Sequence, residues 1–424
     1  MIKYIIGKIF YGISILFGVV TVVFFIFNLG GDPVENLVAE NSSQEIKNAI
    51  RKKLNLDLSL GERYRLYLND ISPISLHHPT NKISPFYFDK KKYSGNKIIS
   101  LGNESGLYLK TPFLNRSYLT ERKVGEVLSE VIPSTAILAI LAITIALILG
   151  VVIGVFSALN RGTLMDHFAL FLSVIGMSGP SFFMAIIIAW VGGLLWYETT
   201  SIPAFPIVFM ILFGVGSWLY KKKYSKTKLS ISKYLLYGLF TGIGFWLIGI
   251  MVDSLNFLSS SINLPGTHLP MNGSLIDVDV WKGEFINPKN LILPAITLGI
   301  RPLAVIVQLT RSSMLDELSK DYIRTARAKG LSENKVVFKH ALKNAMNPVV
   351  TAVSGWFASL LAGAVFVEFV FGYRGLGLTI YEALEKDDMP IVMGAVIIIA
   401  ASFVMMNFIV DIIYGLIDPR VRNS

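Results

Sequence analysis

Residues Ile132–Leu159 read IPSTAILAILAITIALILGVVIGVFSAL, an unbroken run with no charged side chain. A helix needs about 20 mainly apolar residues to cross the hydrocarbon core of a bilayer, which is about 30 Å thick, because each residue adds about 1.5 Å of rise. This run is long enough to cross, so it predicts a membrane-spanning helix. Gly150 and Gly154 in its second half are spaced for close packing against another helix.

The composition of the whole chain agrees with lipid as its solvent. Of its 424 residues, 53% are hydrophobic and 16% are charged, and the mean hydropathy is positive. The net charge of +10 is compatible with nucleic-acid binding, but the basic residues lie in short stretches between apolar runs rather than along one polar face. We interpret them as topology determinants and expect membrane lipid, but no nucleic acid, as a partner.

The sequence does not favour an enzyme. The chain has no cysteine and five histidines, and the histidines do not share a metal-ligand spacing on one helix face. No Gly-x-x-x-x-Gly-Lys-Ser/Thr phosphate loop occurs in the sequence. We therefore expect no catalytic residues, no metal site and no cofactor bound by this chain.

Other apolar runs resemble the first, and together they predict an all-α polytopic membrane protein with about eight transmembrane helices. Phe168–Tyr197 is long for one span, and Gly179-Pro180 is where we expect it to bend, because proline removes a helix hydrogen bond. The run nearest the amino terminus is too long for a signal peptide and predicts a membrane anchor. The predicted spans are Ile9–Leu29, Ile132–Leu159, Phe168–Tyr197, Ala204–Tyr220, Tyr234–Val252, Leu291–Thr310, Pro348–Phe371 and Ile391–Ile417.

Basic residues in the short loops orient this bundle, because positively charged loops stay in the cytoplasm. With eight spans, the strongly basic short stretches all fall on one side, and both termini are then cytoplasmic. The opposite side receives the segments 28–130, 198–201, 253–290 and 372–390. The basic stretches are Lys3 with Lys8, Arg161, Lys221–Lys228, Arg311–Lys343, and Arg420 with Arg422.

These boundaries divide the chain into three parts: a first transmembrane helix at 1–29, an extracytoplasmic loop at 30–130, and a transmembrane domain at 131–424. The loop is polar and rich in turns, which predicts a small cap. Tyr64 and Tyr67 have the spacing of one face of a small helix within it. We expect His77 and His78 to lie in a loop.

A cytoplasmic segment, 311–347, carries the most informative pattern. It contains DYIRTARAKGLS, Asp321–Ser332. Gly330 is a natural left-handed helix end, and Ser332 is a candidate N-cap for a second helix, which we expect to stop before Pro348. A basic connector held at the lipid surface would explain the charges, whereas the small side chains of Ala326, Ala328 and Gly330 favour a docking surface for a partner. The residues alone leave both readings open.

Asp321–Ser332 closely resembles the coupling-loop signature of ABC importer permeases, in the form found in the oligopeptide/dipeptide/nickel permease family. Four shorter stretches resemble that family as well. They are Gly31-Asp32-Pro33, Leu293-Pro294-Ala295, Gly375-Leu376-Gly377 and Asp418-Pro419-Arg420-Val421-Arg422.

The resemblance is to the first of two permease subunits and implies the type I permease fold. It further implies a peptide importer with a second permease subunit, two ATPase subunits that hold ATP and Mg²⁺, and an extracytoplasmic substrate-binding protein, all at the inner membrane. The coupling residues it implies are Asp321, Arg324, Thr325, Ala326, Ala328, Gly330, Leu331 and Ser332. Nickel, glutathione or another small solute is the alternative cargo within the family, and a stand-alone secondary transporter is the alternative outside it.

The chain also departs from the family pattern. Gly30 and Arg374 stand where the family has proline, and the extracytoplasmic loop is enlarged at roughly Ser72–Arg116. Family members usually have six spans. We therefore interpret 204–252 as an inserted helical hairpin, which would leave the orientation of the other spans unchanged.

Arg301 is the one charge well inside a predicted span, about 15 Å along the helix from Leu291. A central arginine that faces lipid costs at least about 2.5 kcal/mol, so Arg301 is expected to face the bundle or a watery path. It is a candidate pathway residue for a peptide carboxylate. The alternative is a buried ion pair with Glu368 or Asp411.

Overall fold

The computed structural model describes residues 2–29, 34–38, 42–79, 81, 84–101, 105–224, 231–251, 261–279, 281 and 283–417. It is mostly helical, as predicted, with short antiparallel strands in the segments between helices. Two of the stretches that resemble the family, Gly31–Pro33 and Asp418–Arg422, lie outside the described residues. The chain forms two compact units, one of residues 1–140 and 354–424 and the other of residues 141–353.

The first unit holds the amino-terminal helix, the cap and the carboxy-terminal helices. Its helices are α1 (Ile2–Leu29), α2 (Val34–Leu37), α3 (Gln44–Lys53), α4 (Leu60–Ile71), the first half of α5 (Val124–Leu159), the end of α12 (Leu342–Gly363), α13 (Val365–Phe371), α14 (Leu376–Glu385) and α15 (Met389–Ile417). Helix α1 packs along α15, and Val124 and Leu128 of α5 form a buried cluster with apolar side chains of α14 and α15.

The cap has more structure than the sequence predicted. Strands β1 (Ile74–His77), β2 (Gly95–Leu101) and β3 (Ser105–Lys110) form an antiparallel sheet in the order β1-β3-β2. The sheet occupies the enlarged part of the loop and covers an aromatic core of Phe88, Tyr93, Tyr108 and Phe113. The expectation that His77 lies in a loop is wrong: His77 is in β1, and its ring packs against Phe88, Tyr93 and Tyr108.

Helix α4 is the predicted small helix of the cap. It begins with a capping box in which the Ser59 hydroxyl accepts from the Glu62 amide and the Glu62 carboxylate accepts from the Ser59 amide. As the spacing predicted, Tyr64 and Tyr67 lie on one face, and both rings pack against Phe24 of α1. These contacts connect the cap to α1.

The second unit begins with the other half of α5 and ends with the first half of α12. Between them lie α6 (Leu164–Ser178), α7 (Ser181–Trp190) with the π-helical turn Val191–Leu195, β4 (Thr199–Pro203), α8 (Ala204–Tyr224), α9 (Ile231–Met251), β5 (Ser261–Pro265), β6 (Ile276–Asp279), β7 (Gly283–Ile286), α10 (Lys289–Leu318), α11 (Asp321–Ala328) and the π-helical segment Lys335–Ala341. The chain bends by 112° between α6 and α7, at the predicted Gly179-Pro180 break.

Helix α10 is the most deeply packed long helix of the second unit. Added Cβ atoms at Gly150 and Gly154 of α5 would lie 2.7 Å from Ile306 and 2.6 Å from Thr310 of α10. Only glycine permits this approach, so the Gly-x-x-x-Gly spacing serves packing, as predicted.

The hairpin α8–α9 stands on a short ribbon. Strands β4 and β5 pair antiparallel from Thr199 opposite Pro265 to Pro203 opposite Ser261, so the chain enters and leaves the hairpin at adjacent positions. The two helices pack chiefly on each other, with Gly238 close to the Phe209 carbonyl and Gly242 close to Pro206. The Lys221–Lys228 connection is described only as far as the end of α8.

Among the described residues, five helices are long and apolar enough to cross a membrane, or six if α6 and α7 with its π-turn form one broken span. The count of eight spans stays a prediction. One expectation about these helices is wrong. The helix that follows Ser332 was expected to stop before Pro348, but α12 continues through that residue. A helix in a membrane bundle tolerates an internal proline when its surroundings satisfy the carbonyl that loses its partner.

Candidate functional site

The predicted coupling segment is built on α11, a short amphipathic helix that follows α10 after two residues. Its inner face consists of Ile323, which is fully buried, and Ala326, which is 7% exposed. Both lie in an apolar cluster with side chains from α5, α10, the π-helical segment and α12, namely Val155, Ala158, Met314, Val336, Val337, Ala341 and Ala345. This cluster fixes α11 on the ends of the longer helices.

The outer face of α11 is exposed. Asp321, Arg324, Thr325 and Ala328 all lie on it. Arg324 contacts Asp321 at 3.4 Å, one turn away, and both side chains are largely in solvent, so this pair contributes little to stability. Of the small residues proposed for docking, Ala328 is therefore on the surface, whereas Ala326 packs inward.

Gly330 ends the helix in the left-handed conformation that the sequence predicted, with φ = +77°. Apart from its two chain neighbours, no described residue lies within 4 Å of an ideal Cβ built at this position, so glycine is required by the backbone and not by space. After it, Leu331 packs against the apolar cluster and Ser332 is exposed. The turn is closed on its outer side by Arg327, whose Nε donates to Glu333 at 2.8 Å.

A polar network holds α11 between α10 and α12. Glu317, near the end of α10, accepts from Lys320 Nζ at 2.5 Å and from the Tyr322 hydroxyl. The Tyr322 oxygen in turn accepts from Asn344 of α12 at 3.1 Å. Partial burial, reinforced by the bond to Glu317, raises the pKa of the Tyr322 hydroxyl, so it remains a donor at neutral pH.

A buried ion pair at the other side of α10 was not predicted from the sequence. The Arg311 guanidinium donates to both carboxylate oxygens of Asp166, at 2.6 and 2.8 Å. Asp166 is 1% exposed and also accepts from the Ser157 hydroxyl and, at 2.8 Å, from the Gly162 amide. The pair therefore joins the end of α5, the start of α6 and the carboxy-terminal part of α10 that leads into α11.

Arg301 lies where α6 breaks. Its Nη2 donates to the Gly179 carbonyl at 3.1 Å, and the side chain is on the exposed surface of this chain. Glu368 is fully buried in the other unit, where it accepts from Thr135 Oγ1 at 2.6 Å. The pairing of Arg301 with Glu368 stays a prediction, and the side chain of Asp411 lies outside the described residues.

Sequence comparison identifies the family of this chain. Residues 150–423 match the model of a family described as "binding-protein-dependent transport system inner membrane component". This stretch contains α10, α11 and Gly330. The chain belongs to this family. It is a transport permease, a multi-pass protein of the inner membrane.

Individual relatives of the permease are peptide transport proteins by name. The dipeptide transport system permease protein of Escherichia coli (strain K12) is 34% identical over 294 residues, which cover 69% of this chain and 71% of that protein. The di/tripeptide transport system permease protein of Pseudomonas aeruginosa (strain UCBPP-PA14) is 31% identical over 415 residues, 97% of this chain and 96% of that protein. The dipeptide transport system permease protein of Alkalihalophilus pseudofirmus is 27% identical over 430 residues, 100% of both.

Proposed function

We propose that this permease moves peptides into the cytoplasm as one transmembrane subunit of an ABC importer, and that α11 with Gly330 is its coupling element. Relatives named for dipeptide and di/tripeptide transport support the cargo. The observation that carries the coupling assignment is the contrast between the two faces of α11. The inner face is fixed in an apolar cluster, while the outer face from Asp321 to Ala328 is exposed.

This arrangement suits the transmission of motion. Alternating access needs two conformations, and nucleotide binding shifts them only through contacts that differ between the states. A partner that moves α11 also moves α10, because Glu317 and the apolar cluster connect them. The Arg324–Ser332 region is the proposed contact. The proposed partners are a second permease subunit, two ATPase subunits that carry ATP and Mg²⁺, and an extracytoplasmic peptide-binding protein.

A matched cysteine pair tests the contact, since the chain contains no cysteine. Ala328→Cys on the outer face is expected to cross-link to an ATPase subunit in the assembled complex, whereas Ala326→Cys on the inner face is not. Absence of any ATPase cross-link from Ala328→Cys, or equal cross-linking from both positions, would reject the docking assignment.

Transport itself is tested in proteoliposomes. Uptake of a radiolabelled dipeptide is expected to require ATP, the ATPase subunits and the binding protein together. Uptake by the single chain, driven by an ion gradient without any ATPase, would instead establish a secondary transporter. Parallel assays with nickel and glutathione distinguish the alternative cargoes.

The proposed orientation has both termini and the α8–α9 connection in the cytoplasm. Ser225→Cys in that connection is therefore expected to resist a membrane-impermeant maleimide added to intact cells. Trp281→Cys, which replaces a 93% exposed residue between β6 and β7, is expected to react. Reversed reactivity of these two positions would overturn the orientation.

A further inference from the structure

Helix α14 begins with backbone amides that are satisfied from outside the helix. The first N–H groups of a helix have no partner within it. The Leu376 amide donates to Thr135 Oγ1 of α5 at 2.7 Å, and the Leu378 amide donates to Glu368 Oε2 of α13 at 3.0 Å. The Gly377 amide is a further donor to the same carboxylate. Thr135 and Glu368 therefore perform together the work of an N-cap.

The two capping side chains also bind each other. Thr135 Oγ1 donates to Glu368 Oε1 at 2.6 Å, so the hydroxyl uses its proton on the carboxylate and its lone pair on Leu376. Glu368 is fully buried, as is Tyr373, whose hydroxyl donates to the Ser134 carbonyl of α5 at 2.9 Å. The capping group is thus a closed network among α5, α13 and the start of α14.

The glycines of Gly375-Leu376-Gly377 make room for this network. An ideal Cβ at Gly375 would lie 2.5 Å from the Glu368 carboxylate oxygens and from Thr135 Oγ1. An ideal Cβ at Gly377 would lie 2.5 Å from the Val365 Cα. Neither glycine has a positive φ, so the requirement is for space beside the carboxylate and the α13 backbone.

A second buried carboxylate holds the other end of the same helix. Asp388, between α14 and α15, is 2% exposed and accepts from the Tyr118 amide at 3.0 Å and from the Ser117 hydroxyl. Between these ends, Leu376, Ile380 and Ala383 pack into an apolar cluster with α5 and α15. Helix α14 is therefore held at both ends and along its length.

Removal of α14 from this position would leave a buried carboxylate and helix amides without partners. Unpaired buried polar groups are costly, and charged ones are more so. We infer that Glu368 is a positioning residue: with Thr135 it forms a detached N-cap that fixes α14 on α5, so that α13, α14 and the first half of α5 move as one body during transport. In this arrangement, the segment between α13 and α15, which contains α14, does not open separately from α5.

Accessibility of a single cysteine tests the inference directly. Leu376→Cys replaces a 3% exposed side chain in the first turn of α14, and Glu382→Cys, on the exposed side of the same helix, is the matched control. Both would be labelled with a soluble maleimide in the full complex in nanodiscs, where both membrane faces are reached. With Glu368 intact, Cys at 376 is expected to react slowly in the resting complex and in the ATP-bound complex of hydrolysis-deficient ATPases, while the control reacts quickly in both.

Variants of nearly the same size then distinguish the hydrogen bonds of the N-cap from the packing volume of the two side chains. Glu368→Gln and Thr135→Val are expected to raise the labelling rate at 376 by about tenfold, since each leaves buried partners unsatisfied. Thr135→Ser, which keeps the hydroxyl, is expected to restore slow labelling. Unchanged labelling in Glu368→Gln and Thr135→Val would overturn the proposed N-cap of α14. Rapid labelling at 376 in one nucleotide state, with Glu368 and Thr135 unaltered, would show that α14 moves separately from α5. The resting-state comparisons do not depend on the proposed ATP coupling, so failure of that coupling is distinguishable.

Discussion

Replacement of Gly330 tests the geometry of the proposed coupling turn separately from the rest of the permease. Its φ of +77° is in the left-handed region, and an ideal Cβ there would meet nothing within 4 Å among the described residues beyond its chain neighbours. The intramolecular cost of Gly330→Val is therefore backbone strain, about 1–2 kcal/mol for a β-branched residue. That cost lowers the population of the native turn by about 5- to 30-fold relative to a competing conformation of otherwise equal energy.

The assay is peptide-stimulated ATP hydrolysis by the reconstituted complex, with membrane abundance of the permease measured in parallel. Gly330→Val is expected to reach the membrane at near-normal abundance, because α11 lies outside the spans, and to lose most of the stimulation. Gly330→Asn is the matched control, since asparagine tolerates the left-handed region and also adds a side chain. Gly330→Ala is expected to lie between them.

Two results would refute this reasoning. Wild-type stimulation in Gly330→Val would mean that the turn does not transmit the signal. Equal loss in Gly330→Asn and Gly330→Val would mean that the missing Cβ matters for contact with a partner and not for the backbone conformation.

Three further expectations concern other parts of the molecule. Replacement of residues 204–260 by Asn-Gly, which would join the paired strand residues Pro203 and Ser261 by a two-residue turn, is expected to leave complex assembly and peptide uptake intact. Loss of uptake in an assembled complex would place the α8–α9 hairpin in the transport pathway. Asp166→Asn and Arg311→Gln are each expected to lower the thermal stability of the purified permease, because each leaves a polar partner unpaired in a largely buried site. The double variant should lose less stability than the sum of the two single losses; strict additivity would show that the two side chains do not stabilise each other. Burial lowers the pKa of Lys110 to about 8, so between about pH 8 and 10 the unfolded cap keeps a proton that the folded cap has lost, and Lys110 should stabilise the cap as pH rises through that window. Burial raises the pKa of Tyr67 and Tyr93 and acts in the opposite direction, so the test compares the unaltered chain with Lys110→Met by hydrogen exchange corrected for the intrinsic rate at each pH; the same pH dependence in both would contradict the expectation.

Signals confined to neighbouring residues were predictable from the sequence. The apolar runs predicted long helices, the proline of Gly179-Pro180 predicted the bend between α6 and α7, and Gly330 predicted a left-handed helix end. Each rests on a local property, either hydropathy over one helix or the conformational preference of one residue.

The remaining features depend on residues that are far apart in the chain. Asp166 and Arg311 pair across 145 positions, and only the packing of α6 beside α10 brings them together. Their placement near the ends of apolar segments was a usable signal for a charge that needs a partner, but it did not identify the partner. The three-residue spacing of Ile323 and Ala326 was a local signal for one helix face, distinct from that of Ala328, but the residues that cover this face come from distant helices.

The cap failed prediction for a different reason. Its apolar content is low, and its core is made largely of tyrosine, phenylalanine and one histidine, whose polar atoms make such segments look like surface loops. Three short strands from separate stretches bury these rings only after they pair. Hydropathy averaged along the chain does not register a core assembled in this way.

The length of helix α10 determines how far one of its ends would move when the helix tilts. Its 30 residues span about 45 Å, and α11 follows one end while Asn290, at the other, donates to the Ser274 carbonyl beside the β6–β7 hairpin. A tilt of about 5° about one end displaces the other by about 4 Å, a distance comparable to the spacing of about 4.8 Å between hydrogen-bonded extended chains. The same tilt would move Ile306 and Thr310 by about 1–3 Å, so the close glycine contacts require the second half of α5 to move together with α10. A small rotation of this helix pair thus produces a movement of useful size at the far end.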